Sequence, residues 1–259
     1  TDWIEKCNAE GKRIVGHAVT VPTDFQFQLI DFNLFDSDPD WRAVTTGTLE
    51  EKMEKMSDPE LRKPLKEKFN PKHTFIGAMA NNIDKLRYGE GDDLNVHNKY
   101  EGRIIEEIAK TENKHPIDVF LDISLSENLS SRWVTPPQKI EMEAMSRLAN
   151  HPFSVPGLSD GGAHMKFLTA AIYPTYFLGK LCRDNNVMSL EKAHWKLSAY
   201  PAQVAGIRDR GHLTEGFGAD IVIYDLDELD YGPMERLQDF PADDWRLVQR
   251  PKGYKYIIV

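Results

Sequence analysis

The sequence predicts an α/β protein in which short apolar strands alternate with amphipathic helices, followed by a strand-rich appendix. Three observations predict it. Strand-like runs at residues 13–20, 74–78 and 153–158 are separated by segments of helical period, the pattern of a parallel sheet built from βα units. After Pro201 the helical period gives way to apolar runs divided by turns. The chain of 259 residues is 41% hydrophobic and 28% charged, a globular composition long enough for a sizeable core.

Taken in order, Glu10-Gly11 punctuates an opening helix, and residues 13–20 (Arg-Ile-Val-Gly-His-Ala-Val-Thr) are short, apolar and partly β-branched, hence a buried strand. Residues 22–59 set Phe25, Phe27, Phe32, Phe35 and Trp41 among turn formers. They predict a long, ordered, irregular loop at the mouth of a strand-bounded site, because uncompensated loops of that length are uncommon. Ser57-Asp58-Pro59-Glu60 carries a cap residue, an early proline and a first-turn acid, predicting a helix to about Phe69. Residues 74–78 read as a strand. Residues 101–111 and 116–125 carry apolar side chains at helical spacing, and a third such helix opens at Pro136-Pro137 and stops before Asn150-His151-Pro152.

Residues 153–158 form a short apolar strand, and helices follow at residues 174–184 and 189–200, the latter capped by Ser189. A helical turn through Gln203–Ala205 leads to the appendix, with strands expected at residues 219–224, 245–249 and 254–259.

The charge balance, 32 Lys and Arg against 41 Asp and Glu, gives a net charge of -9 without a basic face, so nucleic acid is excluded as a partner. No apolar run approaches the ~20 residues that cross a bilayer, so no membrane span is expected. Cys7 and Cys182 lie far apart without metal-like spacing, read as small core residues and fit the reducing cytoplasm. The opening Thr1-Asp2-Trp3-Ile4-Glu5-Lys6 has no initiator Met and no leader pattern, and reads as the middle of a longer chain.

The strongest chemical signal is Ser159-Asp160-Gly161-Gly162-Ala163-His164, a carboxylate at a strand end followed by glycines that admit close approach. Side chains at strand C-termini face the site in a parallel barrel, whereas an Asx-turn capping the loop is the competing role for Asp160, at nearly even weight. None of the eight histidines stands in an H-x-H or a helical zinc pair, so no local motif assembles a metal site. His17, in an apolar strand, is a candidate ligand, with a core or rim role weighed above it. There is no nucleophile elbow, no P-loop and no G-x-G-x-x-G after a strand.

Three stretches together resemble the N-acyl-D-amino-acid deacylase (D-aminoacylase) branch of the amidohydrolase superfamily. They are residues 102–109 running into residues 115–122 (His-Pro-Ile-Asp-Val-Phe-Leu-Asp), residues 158–164 with Tyr173-Pro174-Thr175-Tyr176, and residues 190–193 through Pro201-Ala202-Gln203-Val204 to 206–211, then Gly216 and 218–225. The resemblance implies the C-terminal part of a (β/α)₈ metal-dependent hydrolase barrel over residues 1–211 and part of a small β-sandwich over residues 212–259. It implies that further ligands lie upstream of Thr1, so that the isolated chain binds zinc weakly and is inactive.

The implied activity is hydrolysis of the amide C–N bond of N-acyl (D-)amino acids or related linear amides, with one or two Zn²⁺ ions in the complete enzyme. Asp160 matches the family's general acid/base and a metal ligand. Where the family carries His-Pro-Arg to hold the substrate carboxylate, this chain has Tyr173-Pro174-Thr175, and His164, Lys166 and Tyr173 are the candidate substrate contacts. The alternatives are a cyclic-amide hydrolase of the dihydropyrimidinase or hydantoinase kind, which shares only the third stretch, and a non-catalytic scaffold of the same fold.

Overall fold

The computed structural model describes residues 2–22, 25–70, 83–136 and 141–259. The chain divides into two compact units, Thr1–Thr23 with Gln138–Val259, and Asp24–Pro137. The boundary expected after Gly211 lies inside the first of these, where helices give way to strands.

Helix α1 (Asp2–Ala9) has Asp2 and Glu5 in its first turn and Lys6 in its last, charges that complement the helix dipole. Asn8 closes it by donating from its side-chain amide to the carbonyls of Ile4 (2.8 Å) and Ile14 (2.7 Å), which directs the chain into β1 (Gly16–Ala18).

The second unit follows with β2 (Gln26–Phe27), α2 (Pro39–Thr45), α3 (Leu49–Ser57), α4 (Pro59–Glu67), β3 (Arg87–Glu90), α5 (Leu94–Tyr100), α6 (Ile105–Glu112), α7 (Pro116–Ser126) and β4 (Arg132–Val134). The long irregular loop expected at residues 22–59 is corrected here, because the segment holds a strand and two capped helices. The Asp38 carboxylate accepts from the amides of Asp40 (2.8 Å) and Trp41 (3.3 Å), with Pro39 supplying the fixed φ of a first helical position. Thr48 and Glu51 form a reciprocal capping box on α3.

Three of the five aromatic residues of this segment are core rather than rim, while Phe25 and Phe32 are partly buried. Phe27, Phe35 and Trp41 are at most 3% exposed, and they pack with Phe120 and Trp133 at centroid distances such as 4.7 Å (Phe35–Trp41) and 5.0 Å (Phe120–Trp133). Each buried aromatic of this kind contributes roughly 1.5–3 kcal/mol, so the segment is held by its own unit.

The helix expected from Ser57 begins at Pro59, with Asp58 as its cap, because Ser57 is the last residue of α3. The strand expected at residues 74–78 lies outside the described residues. Helices α6 and α7 appear as the apolar spacing predicts, burying Ile105 and Ile108, and Ile117, Val119, Phe120, Leu121 and Ile123. Strands β2, β4 and β3 form an antiparallel sheet in that order, with Phe27 and Tyr88 both opposite Trp133. These strands of two to four residues are too short to print an alternating pattern in the sequence.

The first unit resumes with α8 (Met142–Asn150), β5 (Ser154–Pro156), α9 (Tyr173–Tyr176) continuing as a π-helix over Phe177–Asp184, α10 (Leu190–Leu197) and α11 (Ala199–Ala205). Of the helix expected from Pro136-Pro137, residues 137–140 lie outside the described residues and the remainder is α8. Strands β1 and β5 pair in parallel, with His17 beside Val155, and they are the only parallel pair among the described residues. The fold class is thus mixed α/β.

Four strands complete the unit as two antiparallel pairs: β6 (Ile221–Tyr224) with β9 (Tyr254–Ile258), and β7 (Asp230–Phe240) with β8 (Asp244–Lys252). Sequence patterning does not reveal β7, because Gly232-Pro233 reads as a turn. In the structure that pair sits at a register shift between Tyr231 and Met234, where a proline without an N–H interrupts no ladder bond. Among the described residues no helix is long and apolar enough to cross a membrane.

Candidate active site

The candidate site grows from the end of β5. Gly157 follows the strand with φ 154°, and the chain then turns through Asp160, itself left-handed at φ 46°. Aspartate is among the non-glycine residues found most often in that region. The Asp160 main-chain oxygen accepts from the amides of Ala163 (3.1 Å) and His164 (3.2 Å), closing a helical turn.

The cap of this loop is Ser159, whose Oγ accepts from the Gly161 amide at 3.2 Å. That leaves the Asp160 carboxylate outside the Asx-turn weighed against it, and among the described residues it has no hydrogen-bond partner. The space above Gly162 is open within 4 Å of where a Cβ would stand. A half-exposed, uncommitted carboxylate beside open space can exchange a proton with a bound molecule.

The other sequence-derived candidates separate. His17 is exposed in the middle of β1, on the strand that neighbours the one leading to Asp160. His164 is exposed and its ring lies 4.6 Å from that of Phe167. Lys166 is engaged elsewhere: its Nζ pairs with the Asp244 carboxylate at 2.7 Å and lies 5.4 Å from the centre of the Trp245 ring, both on β8. The Lys166 contact in turn holds the Asp244 carboxyl below its ordinary range. Tyr173 is partly buried, which raises its phenol, and a Cβ on Gly157 would stand 3.8 Å from its hydroxyl oxygen.

Metal-ligating side chains are not gathered. Among the described residues no group of three or more His, Cys, Asp or Glu is arranged to hold an ion, so Asp160 and His17 are not joined into a centre and the implied zinc finds no complete donor set.

Two positions escaped the sequence. Ser159 was read only as a neighbour of Asp160, although a hydroxyl two residues before a glycine amide is a turn former. Lys196 is fully buried on α10 and donates to the carbonyls of His151 (2.5 Å) and Ser154 (2.7 Å), fixing the entry to β5. Its signal was present, since Lys196 lies three residues after the buried Ala193 and so shares its helix face.

Residues 72–243, well over half of the chain, match the amidohydrolase family. The chain belongs to the amidohydrolase family. Among curated relatives of this amidohydrolase, N-acyl-D-glutamate deacylase of Alcaligenes xylosoxydans xylosoxydans is 43% identical over 55 residues, which are 21% of this chain and 11% of that protein. An uncharacterized protein of Mycobacterium tuberculosis is 30% identical over 135 residues, 50% of this chain and 22% of that one. The chain thus spans less than a quarter of the length of the curated relatives it matches.

Among solved structures, N-acyl-D-glutamate deacylase from Bordetella bronchiseptica, complexed with zinc and a phosphonate inhibitor, aligns with a TM-score of 0.45 at 18% identity, covering 88% of this chain and 36% of that one. D-aminoacylase aligns with a TM-score of 0.37 at 23% identity, over 56% of this chain and 28% of its own.

Proposed function

We propose that this amidohydrolase chain belongs to a metal-dependent hydrolase that cleaves the amide C–N bond of N-acyl-D-amino acids or related linear amides, and that Asp160 is its general acid/base. The observation that carries the reading is the uncommitted Asp160 carboxylate in the turn after β5, in a chain of this family. Asp160 takes a proton from the attacking water and returns it to the departing amine, so that neither hydroxide nor an amide anion has to form free.

His164, which shares the turn of Asp160, and Tyr173, which stands over Gly157, are the proposed substrate contacts. Lys166 joins them on release from Asp244. In the complete enzyme one or two zinc ions supply Lewis acidity, and Asp160 and His17 are the proposed donors from this chain. The described residues do not complete that donor set, so the steps assigned here are those of the side chains. Residues 1–211 are proposed as part of a (β/α)₈ barrel and residues 212–259 as part of a β-sandwich. The free, buried Cys7 and Cys182 fit a reducing cytoplasm.

The test is Asp160→Asn in the complete gene product, assayed on N-acyl-D-amino acids with zinc supplied. Loss of proton transfer lowers kcat by roughly 10²–10⁴-fold while the fold is kept. Turnover at the parental rate overturns the assignment.

A further inference from the structure

Asp160 holds its left-handed φ of 46° in a turn closed on both sides of it. Its main-chain oxygen accepts from the Ala163 and His164 amides, which fixes the residues that follow. The other closure is a single bond, donated by the Gly161 amide to Ser159 Oγ at 3.2 Å. The ring closed by that bond runs through both rotatable main-chain bonds of Asp160. Those two dihedrals set the direction of the Cα–Cβ bond, and with it the direction of the carboxylate.

An aspartate in a turn ordinarily caps the turn itself, its carboxylate accepting from the amide two residues on, which here belongs to Gly162. At this turn the Ser159 hydroxyl supplies the cap from one position earlier. The Asp160 carboxylate is thereby spared. Gly161 makes room for the arrangement, because a Cβ there would stand 3.3 Å from Ser159 Oγ and 3.6 Å from the Ala171 Cβ. A left-handed φ costs an L-residue free energy of the same order as one net hydrogen bond contributes. The Ser159 bond is therefore large enough to decide whether Asp160 keeps that conformation.

We infer that Ser159 is a positioning residue for Asp160: its hydroxyl holds the turn that aims the carboxylate, and takes the capping role that would otherwise consume it. The inference rests on the reading of Asp160 as general acid/base given above. Ser159 acts through Asp160 and exchanges no proton with substrate.

The test uses the complete gene product carrying Ser159→Ala, Ser159→Thr or Ser159→Asn. Steady-state kinetics are measured on an N-acyl-D-amino acid, and amide exchange over residues 159–164 is read by mass spectrometry. Thr and Asn keep a side-chain oxygen that accepts from the same amide, whereas Ala has none. Ser159 is half-buried, so the substitutions leave the core intact. Ser159→Ala loses protection in this segment and lowers kcat by roughly 10- to 100-fold, the scale of an ångström-sized misplacement, with KM within about twofold of the parent. Thr and Asn recover kcat to the extent that they restore protection. In an Asp160→Asn background, Ser159→Ala changes kcat by less than about twofold, because no carboxylate is left to aim.

A parental kcat in Ser159→Ala overturns the proposal, as does any variant in which kcat and protection come apart. An equal loss from Ser159→Ala with and without the Asp160 carboxylate also overturns it, since a turn needed only for folding behaves that way. The two readings fail differently. Asp160→Asn at the parental rate sinks the general acid/base reading and the role of Ser159 with it. A slow Asp160→Asn beside an unimpaired Ser159→Ala sinks the role of Ser159 alone.

Discussion

Nζ of Lys196 donates to the main-chain oxygen of Ser154 across 2.7 Å, joining α10 to the first residue of the strand that leads to Asp160. The same ammonium donates to the His151 carbonyl at 2.5 Å, and both contacts are buried. Replacing it removes two donors at once and leaves two interior carbonyls without partners. Lys196→Met is therefore expected to lower stability by about 1–3 kcal/mol in urea denaturation at neutral pH. An unchanged midpoint would mean that water reaches these carbonyls.

Stability should also depend on pH through this residue. Burial, with a smaller push from Lys192, lowers the Lys196 ammonium from 10.5 to about 8. Below about pH 8 both folded and unfolded chains hold the proton and the burial penalty is fully present. Between about pH 8 and 10.5 the unfolded chain holds more protons than the folded one, so unfolding free energy rises with pH across that window. Subtracting the Lys196→Met profile from the parental one isolates this rise. A difference curve that stays level across that window refutes the assignment.

Gly253 joins β8 to β9 at φ 84°, and a Cβ there would stand 2.7 Å from the Leu229 amide nitrogen and 2.8 Å from the Glu228 carbonyl carbon. Both obstacles are backbone, so neither yields by a rotamer change. Gly253→Ala combines a left-handed side chain with overpacking, and a destabilisation of roughly 2–4 kcal/mol is expected in thermal melts. A melting temperature within error of the parent would show that the turn relaxes freely.

Helix α3 owes its start to Thr48, which accepts from the Glu51 amide at 3.3 Å while Glu51 returns the bond at 2.8 Å. Thr48 is exposed, so Thr48→Ala removes the cap without disturbing packing. A loss of about 1 kcal/mol is expected, largely recovered in Thr48→Ser. Equal stability of the alanine and serine variants would contradict the capping account.

Three other aspartates serve as controls for Asp160. Asp118 and Asp122 lie on α7 and bind Arg62 at 3.3 and 2.7 Å, and Asp220 binds Arg210 at 2.8 Å. Their carboxylates serve in ion pairs, partly buried at Asp118 and Asp122 with Arg62 and exposed at Asp220. Their Asn variants should retain most of the hydrolytic rate under conditions where Asp160→Asn loses it. A collapse in rate in any folded control would remove the distinction drawn for Asp160.

The helices α6, α7 and α10 were legible because each carries its own period: Ile105, Ile108 and Ala109 repeat on one face, and Ser189 announces the start of α10. The turn at Asp160 was legible as a polar, glycine-rich break after an apolar run. Less could be read between Pro22 and Pro59, where aromatics among turn formers suggested a loop. Asp38-Pro39 and Thr48 with Glu51 were valid start signals, outweighed by the absence of a long apolar period in such short helices.

The sequence by itself determined where the chain turns, which faces of its longer helices are apolar, and which family it resembles, because those properties reside in neighbouring residues. Tertiary structure alone decided that β1 pairs with β5, that Phe27 and Phe35 are core, that Lys166 pairs with Asp244, and that Lys196 lies buried under the His151–Ser154 turn. Those outcomes depend on side chains far apart in the chain competing for the same partners, and local pattern carries no record of which pairing has the lower free energy.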